Sequence, residues 1–144
     1  MTLILRPDIP RPTRGLLNCN PGNLVFNAHV PWRGLTGADG KGFCIFRDDF
    51  HGLRAIARDL RTDYFRDGQR TIAELIGEYA PPNENNTLAY IGFVVRNLGV
   101  AADREIALTP ATAAAIVAAI VRMENGVQPY PPELIAAAIA DGLA

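Results

Sequence analysis

The chain has 144 residues, 49% of them hydrophobic, and a formal net charge of −1, which suits one domain large enough to bury a real core. Its basic residues are scattered rather than clustered, so nothing in the charge pattern supports nucleic-acid binding. Cys19, Cys44, His29 and His51 match no metal-ligand spacing, the two thiols read as free, and no metal or cofactor is expected.

In chain order, residues 1–13 read as an extended arm stiffened by Pro7, Pro10 and Pro12, with an apolar run too short for a secretory signal. Residues 14–144 read as the domain. Two short β-like runs, Leu24–Phe26 and Phe43–Phe46, flank the turn-forming segment Gly37–Gly42 and predict a small β-hairpin lobe. From Phe50 to Phe65 apolar residues recur at Leu53, Ile56, Ala57, Leu60 and Tyr64, the spacing of an amphipathic helix with arginines and aspartates opposite. Thr71 to Glu74 forms a capping box, and the helix it opens must end near Tyr79 because Pro81-Pro82 forbids continuation. Asn86 or Thr87 caps a further helix that runs through Leu98 and stops at Gly99. Thr109 and Pro110 then start an uncharged helix of Ala, Ile and Val that stops at Asn125-Gly126; its composition reads as buried on all sides, and it is too short to span a bilayer. Pro132 starts a last helix through about Ala140. The expected fold is α+β, mostly α: one domain with an N-terminal β lobe and a buried helix near its C-terminus.

Glu124 is the lone carboxylate at the end of that apolar helix. Apolar packing and the negative end of the helix dipole would both favour its protonated form, which is what a general acid needs. Three other segments are unusual. Asn18, Asn20 and Asn23 surround a Pro-Gly turn, and such amides either hold the turn or read the amide and hydroxyl groups of a sugar polymer. Trp32, the single tryptophan, either closes the core or offers a stacking platform to a pyranose. Glu78 to Thr87 gathers amide and carboxylate groups between helices, where Glu84 either caps the following helix or faces a cleft. The chain has no serine, so serine-nucleophile chemistry is excluded, and no Gly-rich phosphate cradle precedes a helix.

Arg14–Asn23, Trp32–Gly34, Phe43–Ala55, Ala80–Tyr90 and Glu124–Tyr130 resemble, in this order, the conserved segments of a group of small phage- and prophage-encoded virion proteins. Cys19 departs from that group, which usually has asparagine there. A second resemblance carries a mechanism. Asn23-Leu24, Trp32-Arg33-Gly34, Phe43–Phe50, Tyr79-Ala80-Pro81 and Tyr90 are similar to the hairpin lobe and following helices of the bacterial glucosaminidase family of the lysozyme superfamily. In that family the helix ending on the catalytic glutamate precedes the hairpin, whereas the segment similar to it here, Ile116–Gly126, comes last. The resemblance implies a circularly permuted lysozyme-like domain, with Glu124 delivered to the cleft from the C-terminal side.

The expectation is a peptidoglycan glycosidase, either a muramidase or a lytic transglycosylase, in which Glu124 protonates the glycosidic oxygen and Glu84 is the leading second carboxylate. Asn20, Asn23, Trp32, Tyr79, Tyr90 and Tyr130 would bind substrate. The implied partners are peptidoglycan and other phage virion proteins, with no membrane span. The implied place of action is the periplasmic wall, reached without a signal peptide after synthesis in the bacterial cytoplasm. The alternatives are a non-enzymatic virion or wall-binding protein that keeps a lysozyme-like shape, and an amidase or peptidase using Cys19 or Cys44 with a histidine.

Overall fold

The computed structural model describes residues 12–83 and 85–144. Residues 1–11 of the expected arm, and Glu84, lie outside the described residues. The fold is mostly helical with one two-stranded antiparallel sheet. Its elements are α1 (Arg14–Leu17), β1 (Leu35–Ala38), β2 (Cys44–Phe46), α2 (Asp49–Arg61), α3 (Ile72–Tyr79), α4 (Thr87–Leu98), α5 (Pro110–Asn125) and α6 (Pro132–Leu143). A π-helical turn, Thr62–Arg66, extends α2 and is closed by the Asp67 N–H donating to the Thr62 carbonyl.

The helix ends follow local chemistry. Thr71, Asn86 and Thr109 each accept a backbone N–H from three residues on, replacing one of the donors that every helix start leaves unpaired. Glu74 completes the box by accepting from the Arg70 N–H and the Thr71 hydroxyl. Gly99 and Gly126 end α4 and α5 in the left-handed conformation, at φ +71° and +76°.

The core is built between α2, α5 and α6, with α3 and α4 closing one side. Leu53, Ile56, Leu60, Leu75, Ile76, Ile116, Ile120 and Ile139 are fully sealed. The α6 helix runs to Leu143, beyond the expected stop near Ala140. It can do so against α2 because a Cβ on Gly142 would lie 2.8 Å from the Ala57 Cβ, so only glycine allows the two helices to approach this closely.

The hairpin departs from its expected pairing. β2 pairs with β1, in the register Leu35↔Phe46, Gly37↔Ile45 and Ala38↔Cys44 with a bulge after Leu35, while Val25 contributes a single bridge to Phe43. The turn decides this. Asp39 Oδ1 accepts the N–H groups of both Lys41 and Phe43, which folds the chain back at residues 39–43 and makes the preceding Leu35–Ala38 the neighbour of β2. Leu35-Thr36-Gly37-Ala38 has little strand propensity of its own.

The α5 helix is also less enclosed than its composition implies. Its inner face is sealed from Ala113 to Val121, but Ala111 and Ala115 are exposed. Alanine hides the difference, because its small side chain costs little on either face and adds no polar residue to mark the outside.

Candidate active site

The loop Asn18–Leu24 is the keystone of the site. Gly52 lets it lie against α2, since a Cβ there would sit 1.8 Å from the Cys19 carbonyl oxygen. Asn20 is fully buried; its amide donates to the carbonyls of Leu24 and Cys44 and its Oδ1 accepts the Leu24 N–H. Those bonds hold the loop and its strand neighbour together, so Asn20 presents nothing to a substrate. Cys19 and Asn23 both take φ +50°, a left-handed conformation that asparagine adopts more readily than most residues.

The same loop is bonded to the end of α5. The buried Asn125 amide donates to the Pro21 carbonyl at 2.8 Å and to Val121 within its own helix, while its Oδ1 accepts from the Thr13 hydroxyl. Asn23 Nδ2 donates to Glu124 Oε1 at 2.9 Å. From the other side, the Tyr79 hydroxyl donates to the Gly22 carbonyl at 2.6 Å. The Asn-rich loop and Glu124, about a hundred residues apart in sequence, therefore form one unit.

Glu124 is half-buried on the wall of a cavity of about 640 Å³ that Arg14, Asn23, Lys41, Phe43, Tyr79 and Asn85 also line. Tyr90 is buried beneath it. Burial and the negative charge of Glu124 push the Tyr90 phenol far above its ordinary range, so it stays a neutral hydroxyl. Tyr79 is pushed up for the same two reasons, with Tyr90 adding to them. Trp32 lies half-buried over Cys44, Phe46 and Ala55, and its free side lines an adjoining cavity of about 540 Å³. Tyr130 stands apart. It lines a different hollow, with Leu16, Leu17, Asp49 and Leu134, and does not join Glu124.

Three carboxyls absent from the expected set belong to both of the larger cavities: Asp59 on α2, Asp63 on the π-helical turn, and Glu78 on α3. Burial, then the charges of Glu78 and Asp67, raises Asp59 to about 6. Burial, then Asp59, Glu78 and Asp67 against an opposing Arg66, raises Asp63 to about 7. A signal for them was present in the sequence. Asp59 and Asp63 are like charges four residues apart, a pairing that disfavours a helix. Among the described residues no group of three or more Asp, Glu, His or Cys side chains is placed to hold a metal ion, and no described helix is long and apolar enough to cross a membrane.

The cysteines are poorly placed for nucleophilic chemistry. Burial, then the charge and hydrogen bond of Asp49, pushes the Cys19 thiol up to about 11, and Cys44 is sealed with its thiol also raised. Both nitrogens of His51 are engaged, at 2.6 Å with Asp48 and 3.1 Å with Arg47. Because arginine only donates, His51 Nε2 accepts and Nδ1 carries the proton to Asp48. Cys19→Asn is therefore expected to fold and to keep all activity, since asparagine takes the left-handed φ readily and the thiol has no part in the chemistry. Denaturant melts and a wall-clearing assay check both; a folded variant without activity would implicate the thiol.

Protein P5 of Pseudoalteromonas phage PM2 is 36% identical to this chain over 126 residues, covering 85% of the chain and 78% of that protein. The chain belongs to the Protein P5 family. It is thus a member of a phage protein family, as the resemblance of its five segments from Arg14–Asn23 to Glu124–Tyr130 to phage-encoded proteins implies. No family model matches it.

Proposed function

We propose that this member of the Protein P5 family is a peptidoglycan glycosidase, a muramidase or lytic transglycosylase that opens the glycan of the bacterial wall for the phage. The observation that carries the reading is a half-buried carboxylate, Glu124, oriented by the Asn23 amide on the wall of an open cavity that also bears Asp59, Asp63 and Glu78. Hydrolytic glycoside cleavage commonly uses two carboxyls flanking one bond in different roles, whereas a lytic transglycosylase can work with a single acid; either suits a groove. The two cavities share Asp59, Asp63 and Glu78 and would together form such a groove, one of them offering Trp32 as a stacking surface and the other Asn23 and Asn85 as amide partners. No cofactor is required. Glu124 is the residue on which cleavage depends.

A non-enzymatic virion or wall-binding role is the second reading, and the outer face of α4 favours it. Leu88 is 83% exposed at the start of α4, above Ile91 and Val95, which are half-buried against the core, and it has no role in cleavage. One experiment separates the two. Purified protein added to outer-membrane-stripped walls is expected to lower their turbidity and to release muropeptides whose new ends, read by mass spectrometry, are either reducing or 1,6-anhydro. Walls that stay intact while the protein sediments with them would support the binding role instead.

A further inference from the structure

We propose that Asp63 is the proton donor of this cleft and that Glu124 is the second carboxyl, facing the positive charge that develops at the sugar, an assignment that rests on the glycosidase reading. Asp63 is only 6% exposed, yet it lines both cavities, and its Oδ2 is buried without a hydrogen-bond partner. An ionised carboxylate in that position would be severely penalised, whereas a carboxylic acid is not. The groups around it act in the same direction. Asp59 stands one turn earlier on α2, Glu78 faces it from α3 and Asp67 follows the π-helical turn, while Arg66 is the cation that opposes them. Arg66 is itself exposed and paired with Asp67 at 2.8 Å, which leaves little of its charge for Asp63. Glu124, Arg14 and Lys41 line one of the two cavities that Asp63 lines, and Arg33, Arg54 and Arg58 the other.

Glu124 has the opposite environment. Its Oε1 accepts an amide hydrogen from Asn23, and it is open to the cavity. Two carboxyls in one cavity, one sealed without a partner and the other hydrogen-bonded and open, is the arrangement that gives them different roles. In the cleavage step the anomeric carbon–oxygen bond breaks and its electron pair goes to the leaving oxygen, which takes the proton from Asp63. Glu124 stabilises the positive charge that develops at the anomeric carbon. Water then adds to that carbon and returns a proton to Asp63, so both carboxyls end as they began. The π-helical turn has a part in this: by widening the last turn of α2 it carries Asp63, whereas a regular continuation would place that side chain differently.

The test is Asp63→Asn, near-isosteric and unable to deliver a proton, assayed on stripped walls from pH 4 to 9. The wild type is expected to lose kcat/KM as pH rises through about 7, where Asp63 gives up its proton. Asp63→Asn is expected to fold, to lose about 10²–10⁴ in rate, and to lose that alkaline limb. Stability supplies a readout without substrate. Asp63 binds its proton more tightly folded than unfolded, so wild-type stability falls as pH climbs from the ordinary aspartate range through about 7; Asp59 contributes to the same decline up to about 6, so Asp63→Asn should make the decline smaller and end it near 6. If Asp63→Asn does not fold, Asp59→Asn decides: removal of the neighbouring charge must move the alkaline limb to lower pH, whatever it does to the rate on the acid side. Undiminished activity in folded Asp63→Asn, or a limb that Asp59→Asn leaves unmoved, overturns the donor role alone. A wild type that clears no walls at any pH overturns the glycosidase reading and the donor role together.

Discussion

Glu124→Gln is expected to abolish wall clearing, with a loss of about 10²–10⁴ in rate, while the protein keeps its fold. Glutamine preserves the length of the side chain, and its Oε1 can still accept from Asn23 Nδ2, so the bond between α5 and the N-terminal loop survives. The substitution also removes a negative charge from the carbonyl end of α5, where such a charge is unfavourable. What is lost is the ability to donate a proton or to face a developing cation with a full charge, and either loss is fatal to glycoside cleavage. Circular dichroism should overlay the wild-type spectrum. A folded Glu124→Gln protein that clears walls at the wild-type rate would remove Glu124 from the chemistry.

Gly52→Ala is expected to destabilise the protein by about 3 kcal/mol, at the upper end for overpacking, although it adds a single methyl. Both partners of the contact are rigid. The new Cβ would lie 1.8 Å from the Cys19 carbonyl oxygen and 2.9 Å from the Pro21 ring, and no rotamer change can relieve a clash with backbone. The loop must lift away from α2, which strains the bonds that Asn20 makes to Leu24 and Cys44 and pulls Asn23 from Glu124. Activity should fall further than stability alone accounts for. Guanidinium melts measure the first effect, and wall clearing well below the melting temperature measures the second. A melt within about 0.5 kcal/mol of wild type, the ordinary range for a surface change, would mean that the loop is not clamped.

The helices were legible because their ends are written in local chemistry. Thr71, Asn86, Thr109, Gly99 and Gly126 act where their residue types imply, and the amphipathic spacing of α2 survives unchanged into the structure. The hairpin was less legible, since Leu35–Ala38 is recruited by the turn at Asp39 rather than by its own propensity. Burial was misjudged where alanine is the only evidence, as at Ala111 and Ala115. At the site, Glu124 and Asn23 could be picked out as separate oddities, but no local rule says that they touch. Asn20 was read for its chemistry and is occupied by architecture; Tyr130 was read with the same group and faces another hollow. Asp59 and Asp63 were passed over because aspartates opposite an apolar stripe look like a solvated face, and only the approach of α3 with Glu78 encloses them.

The bonds from Thr13 to Asn125, from Asn125 to Pro21 and from Asn23 to Glu124 span 112, 104 and 101 residues of chain. A ribosome therefore finishes the loop, the hairpin and the carboxyls of α2 and α3 long before it supplies the helix end that completes the groove. Until Asn125 has emerged, the first part of the pocket wall has nothing to close against. Long-range closure of this kind slows folding, and here it also sets a timetable: a truncated or stalled chain carries Asp59, Asp63 and Glu78 but no finished groove.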